Sequence, residues 1–295
     1  MFLIIGLVIL MGSILVAFTM EGGKPAALVQ IGEYIIIGGA AFGTLLAGTS
    51  LKRVMAITKD IISLIKPNPF GKTCYFELLQ LLYDISNLAR REGLLALESH
   101  IERPESSEII QKYRTFNQNH HAVEFVCDSL RLVVMGGVGQ FELQELMEGD
   151  IEVFSEEVKK NPGLVAKIGD ALPGFGIVAA VLGVVLTMQA IGGPPEVIGM
   201  KVGAALVGTF LGILLAYGVF GPIAMALESR AEASIAYLNC LRCGLNALAQ
   251  GMSPMLVVEF SRRAIEPEER PGFQEVEDVV KGRGMASGGD QQKAA

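Results

Sequence analysis

Four polar side chains, Thr44, Thr187, Gln189 and Thr209, stand alone inside long uncharged stretches of the sequence. A hydroxyl or amide oxygen at such a place can help coordinate a cation. It can also bond the backbone one turn back, as a threonine in a buried helix usually does. Two prolines bear on the same stretches, Pro173 near the start of one and Pro222 near the end of another. A proline inside a helix removes one backbone bond and leaves a kink or hinge, whereas near a helix start it is an ordinary initiator. Arg90, Arg91 and Glu92 are followed by Glu98. Arg90 and Glu98 are a little over two helical turns apart, so a continuous helix puts both on one side, although Gly93 lies between them. Cys240-Leu-Arg-Cys243 has a spacing that serves metal or redox work in a reducing compartment. It has no second such pair and no nearby histidine, so these thiols read as small buried hydrophobes. His120 and His121 are adjacent and do not share a helix face. There is no phosphate-binding P-loop, no HExxH and no GxSxG.

These residues are carried by apolar blocks. Over the 295 residues the composition is 51% hydrophobic, the mean hydropathy is +0.46 and the formal charge is −7. The charges fall mostly between and after the uncharged blocks, the pattern of a membrane protein with a sizeable aqueous domain. An acidic balance argues against nucleic acid as a partner. The first block, 1–20, has no Lys or Arg before Lys24 and no small-residue cleavage site, so it reads as a retained span. The second runs from about Tyr34 to Leu51 and pairs Gly39 with Gly43 at a spacing that admits a neighbouring helix. The third is about Phe175 to Gly193. The fourth, Lys201 to Leu227, has no charge after its first residue, longer than the roughly 20 residues needed to cross a bilayer.

The predicted fold is an all-α integral membrane protein. Four transmembrane helices carry a helical cytoplasmic domain inserted between spans two and three. The expected boundaries are 1–52 for spans one and two, 53–172 for the inserted domain, 173–227 for spans three and four, 228–280 for a helical extension and irregular segment, and 281–295 for a disordered tail. Lys52, Arg53, Lys59, Lys66 and Lys72 follow the second span, and Lys159, Lys160 and Lys167 precede the third. Both clusters place the domain and both termini in the cytoplasm. Glu21, Lys24 and Glu33 are assigned to one short outer loop, and Glu196 and Lys201 lie near the other. Within the domain, 75–97, 123–134 and 141–158 have helical periodicity. Pro104 is expected to stop the first, Ser106-Ser-Glu108 to open another helix, and Asn161-Pro-Gly163 to interrupt the chain before the third span. Glu228 to Leu248 continues the fourth span as one long helix, and Pro254, Pro267 and Pro271 mark irregular chain.

An ionisable side chain inside a span is the usual sign of ion coupling. On these boundaries no span has one. Either the spans anchor a scaffold, which the residues alone favour, or they line a pathway whose carboxylate comes from another polypeptide.

Longer motifs bear on that choice. Leu172-Pro-Gly-Phe-Gly-Ile-Val-Ala-Ala-Val-Leu-Gly183, Val207-Gly-Thr-Phe-Leu-Gly-Ile-Leu-Leu-Ala-Tyr-Gly218 with Gly221-Pro222, and Ala89-Arg-Arg-Glu-Gly-Leu-Leu-Ala-Leu-Glu98 resemble flagellar motor stator subunits of the MotA type. So do Val258-Glu-Phe-Ser-Arg262 and Glu269-Arg-Pro-Gly-Phe273. The likeness follows nearly the whole chain in order. It implies a non-enzymatic ion-conducting subunit of the bacterial inner membrane, with no cofactor. Five copies would surround two copies of a MotB-like single-span partner that supplies the intramembrane Asp, and would drive the rotor protein FliG. It assigns Arg90 and Glu98 to the rotor contact, Pro173 and Pro222 to coupling, and Ala180 and Thr209 to the pathway lining. Sodium-driven relatives usually carry Thr where this chain has Ala180, so the resemblance implies H+. The ExbB/TolQ energisers of outer-membrane systems are the alternative within the superfamily, and a passive membrane scaffold is the alternative outside it.

Overall fold

The computed structural model describes residues 2–189 and 191–280. The helices are α1 (Phe2–Met20), α2 (Ile31–Gly48), α3 (Leu51–Ser63) and α4 (Lys72–Glu92). Three short helices follow, α5 (Glu98–Glu102), α6 (Glu108–Gln111) and α7 (Arg114–Asn117). After them come α8 (His120–Met135), α9 (Gln140–Met188), α10 (Pro195–Leu215), α11 (Gly221–Ala249), α12 (Pro254–Arg263) and α13 (Phe273–Val280). No strand occurs among the described residues. Four helical stretches are long and apolar enough to cross a membrane: Leu3–Met20, Pro25–Gly48, Gln140–Met188 and Pro195–Ala249. The tail expected to be disordered, 281–295, lies outside the described residues.

The chain divides into two compact units. The first takes residues 1–67 and 157–230. Its apolar helices meet through glycine. A side-chain carbon added at Gly176 of α9 falls 2.8 Å from the Gly208 carbonyl oxygen and 3.2 Å from Gly212 Cα. One added at Gly183 falls 2.6 Å from Ala205 Cβ, and one at Gly212 falls 2.7 Å from the Leu172 carbonyl oxygen. Backbone touches backbone along this line, the arrangement that replaces hydrophobic association where the surroundings are themselves apolar. Gly39 and Gly43 face open space within the chain, so the close approach rests on α9 and α10. Ile177, Val181, Val184, Leu206 and other large apolar side chains stay exposed.

Beside these helices α3 begins on Ser50, whose hydroxyl accepts from the Arg53 amide at 3.3 Å. Arg53 reaches Glu157 on α9 at 2.7 Å, and Asn161 donates to Asp60 at 2.6 Å. Arg230 donates to the Ser63 and Lys66 carbonyls at 2.9 and 2.8 Å, satisfying backbone oxygens at the end of α3.

The second unit takes, among the described residues, 68–156 and 231–280. Leu78, Leu79, Leu82, Phe116, Tyr237 and Leu241 are fully buried in its core. Glu77 on α4 accepts from the Thr115 amide at 2.7 Å and from its hydroxyl at 2.9 Å, which caps α7. Ser107 caps α6 by accepting from the Ile110 amide, as the Ser106-Ser-Glu108 signal implied. Cys74 and Cys127 are buried, and that burial pushes each thiol up to about 11. Cys240 and Cys243 are free, and Cys240 is also buried.

Three expectations are corrected, and the helix continuity left open at Gly93 is decided. Asn161-Pro162-Gly163 does not interrupt the chain, because α9 runs unbroken through both Pro162 and Pro173. The backbone bond lost at Pro162 is offset by Asn161, which holds Asp60, and by Val165, which is buried. Pro254 opens a helix rather than marking irregular chain, since proline at the first helical position gives up a donor that had no partner anyway. The helix carrying Arg90 ends at Gly93, whose φ of +90° falls where glycine is favoured, so Arg90 and Glu98 do not share one helix. Glu33 belongs to α2, not to a loop, so one of the apolar helices does contain an ionisable residue.

Candidate functional site

The α9–α10 contact brings together the residues singled out in the third and fourth spans. Thr209 Cα lies 3.4 Å from a carbon added at Gly176. Ala180 stands one turn beyond Gly176 on the same side of α9, by helical spacing. Thr209 and Ala180 are both half-buried. The Thr209 hydroxyl has no hydrogen bond to another described residue, whereas Thr187 donates to the Gly183 carbonyl at 2.9 Å. Thr187 is therefore committed to its own helix, and Thr209 keeps a hydroxyl for something else. Thr44 and Gln189 are exposed, away from this contact.

The two prolines produce neighbouring defects. Pro173 is inside α9, so it cannot donate to the carbonyl four residues back, at Gly169. Pro222 likewise leaves the Gly218 carbonyl without its usual donor. The chain accommodates Pro222 by a π-helical turn, Ala216–Phe220, between α10 and α11. Gly169 packs against that turn: an added carbon there falls 3.2 Å from Phe220 Cβ and 3.8 Å from the Ala216 carbonyl oxygen. Leu10 of α1 closes the other side, with its Cδ2 3.0 Å from a carbon added at Gly218. A turn of α9 that lacks one backbone donor thus rests on a widened turn leading into α11.

The carboxylate of Glu33 reaches the same contact from α2. Its side chain is 8% exposed. A carbon added at Gly208 would lie 2.5 Å from Glu33 Oε2 and 3.1 Å from Ala179 Cβ, so the carboxyl packs directly on this glycine. Sequence reading missed this residue. The available signal was the unbroken apolar periodicity from Ile35 through Leu46, which extends back through Ile31 and takes Glu33 into the helix.

In the second unit, Arg90 and Glu98 are exposed on either side of the Gly93 turn. Neither has an ion pair or hydrogen bond with another described residue. Between them Leu97 is buried while Leu94 and Leu95 are exposed. The fold therefore presents a short apolar tip flanked by free charges of both signs.

Residues 4–93 match the family described as Motility protein A N-terminal, and 117–239 match the MotA/TolQ/ExbB proton channel family. The Motility protein A of Salmonella typhimurium is 36% identical over 281 residues, covering 95% of each chain. That of Escherichia coli is 35% identical over the same length and shares. The chemotaxis protein LafT of Vibrio parahaemolyticus is 36% identical, covering 87% of this chain and 90% of its own. A chain of the C. jejuni MotAB structure shares the fold with a TM-score of 0.74 at 23% identity, covering 92% of this chain and 98% of that one. A chain of the flagellar MotAB stator complex from Bacillus subtilis gives a TM-score of 0.71 at 21% identity, covering 87% and 92%.

Proposed function

The chain belongs to the Motility protein A family, within the MotA/TolQ/ExbB proton channel family, and on that premise we propose how its residues perform the work of a flagellar stator subunit. It is a channel component and not an enzyme. The four apolar helices span the bacterial inner membrane with both termini in the cytoplasm. The inserted domain of 53–172 and the extension of 228–280 lie on the cytoplasmic side, as the lysine clusters beside spans two and three support. Five copies surround two copies of a single-span MotB-like partner. The exposed apolar side chains of α9 and α10 suit such an assembly, since they would otherwise face only lipid.

The pathway is lined by Ala180 and Thr209, and the partner's Asp carries the ion between this wall and its own helix. Ala180 supplies no oxygen where a hydroxyl would help hold a bare cation, which supports H+ as the transported ion. The observation that carries the coupling role is the contact between Gly169 and the π turn. It joins the helix defects of Pro173 and Pro222, so a small displacement of one helix has a soft place to be taken up in the other. An ExbB/TolQ-like role fits less well, because 4–93 match the Motility protein A N-terminal family.

Arg90 and Glu98 meet charged groups on FliG. Weak, exposed pairs suit a contact that must form and break at each step. Such a pair contributes about 1 kcal/mol, a factor of about five in an equilibrium. Arg90→Glu is expected to slow swimming by about that factor, with partial recovery from the opposite charge reversal on FliG. Normal swimming by the single variant would remove Arg90 from the rotor contact.

A further inference from the structure

We propose that Glu33 is a second proton-carrying site of the pathway, supplied by this chain itself and placed ahead of the partner's carboxylate on the outer side. The inference rests on the proton-coupled stator reading above. Three observations carry it. The side chain is more than nine-tenths buried and its Oε2 has no hydrogen-bond partner. It lies against Gly208 and near Ala179, the immediate neighbours of Thr209 and Ala180 in the pathway wall. An open cleft of about 650 Å³, lined by Gln30, Met200, Lys201, Gly203 and Val207 among others, lies next to the start of α2, with Glu33 outside its lining. Gln30 is the residue on which α2 starts, one turn before Glu33, and Val207 adjoins Gly208.

A glutamate used only for packing has no reason to leave an oxygen unpaired, because an unpaired buried polar group is costly and an unpaired buried charge far more so than the neutral acid. The packing also spares it any fixed counter-charge. No charged or histidine side chain occurs on α9 from 171 to 188. On α10 the ionisable residues are Glu196 and Lys201, and the Lys201 ammonium donates to the Leu186 carbonyl at 3.3 Å. On α2 itself Tyr34 is the other titratable group, and it is exposed. A carboxyl group without a permanent partner can take a proton from water in the cleft and release it inward without breaking a salt bridge. The step is a proton transfer only: the carboxylate gains H+ from water on one side and returns it on the other.

The test uses cells lacking their own stator subunits and supplied with this chain and its single-span partner. Rotation of tethered cells is followed as external pH is varied. Glu33→Gln keeps the shape and polarity of the side chain but cannot carry a proton; it is expected to slow rotation roughly tenfold or more and to flatten the pH profile. Glu33→Asp is expected to restore much of the speed and the pH dependence. Wild-type speed and profile in Glu33→Gln would overturn the proposal. If that variant fails to accumulate, treatment of wild-type membranes with dicyclohexylcarbodiimide decides. Adduct on the Glu33 peptide, increasing as pH falls, supports the proposal, and its absence refutes it. Failure of the wild-type pair to rotate the motor at all would instead count against the stator reading itself.

Discussion

Cells that depend on a Pro222→Leu variant of this chain should not swim, although the variant should reach the membrane and assemble with its partner as the wild type does. Leucine restores the amide that Pro222 lacks, and with it the bond to the Gly218 carbonyl. The Ala216–Phe220 turn is π-helical in the wild type, and the substitution lets it relax to regular α-helix. Replacing proline inside a helix favours the helix by about 3 kcal/mol, so the variant gains local stability. Loss of motility with a gain in stability separates coupling from folding. The same change removes the widened turn on which Gly169 rests, so the defect at Pro173 no longer adjoins one at Pro222. Swimming assays paired with co-purification of the complex provide the check. Undiminished motility would show that the π turn is only a static consequence of the proline.

Gly212→Val should act in the opposite way, by removing the protein. The first carbon of any side chain at this position meets the Leu172 carbonyl oxygen at 2.7 Å and Gly176 Cα at 3.0 Å. Both are backbone atoms, so no rotamer change relieves the overlap and α9 and α10 must separate. Overpacking of this kind costs about 1–3 kcal/mol or more, enough to deplete the folded protein. The amount in the membrane fraction is expected to fall roughly tenfold, and motility with it. Gly149→Ala is the control. Its added carbon meets nothing within 4 Å, and alanine favours helix, so level and motility should be unchanged. A Gly212→Val variant present at normal level and fully motile would mean that the α9–α10 contact is not tight in the assembled protein.

The contrast between these two positions shows what the sequence makes legible. The apolar stretches and the lysine clusters beside them are compositional, and they identify four helices long enough to span a membrane. Motif likeness then picks out Pro222 and Thr209. It does not reveal that Pro222 is accommodated by a π turn, because that depends on Gly169 and Phe220, some fifty residues apart in the chain. Nor does spacing reveal which glycines pack. Gly39 and Gly43 have the same four-residue spacing as Gly208 and Gly212 yet face open space, while Gly208 and Gly212 make close contacts with α9 at Gly176 and Leu172. Pro162 reads as a break because a lone proline disfavours helix, and the cross-helix bonds of Asn161 are invisible until α3 is in place. Glu33 was hidden for a different reason. A charge at the edge of an apolar block looks like a boundary, although the periodicity runs back to Ile31, where α2 begins, and the burial of Glu33 against Gly208 depends on a helix the spacing cannot place.

Gly93 illustrates the reverse case. The residue was visible and its effect on helix continuity was open, and the +90° φ closes the question. The break leaves Arg90 and Glu98 flanking an exposed leucine tip instead of lying along one helix face. A rotor contact made there would combine both charges with Leu94 and Leu95, so charge reversal at one residue should weaken the contact without abolishing it.

The most direct test of the whole mechanism is the rotation speed of tethered cells whose only stator subunits are this chain and its single-span partner. Speed is measured with and without a protonophore, at fixed and at varied external sodium. The expected result is rotation only when both chains are present, stopped by the protonophore and by replacing the partner's intramembrane Asp with Asn, and indifferent to sodium. Rotation that tracks sodium and persists with the protonophore at fixed sodium, or rotation driven by this chain without its partner, would contradict a proton pathway completed by a second polypeptide.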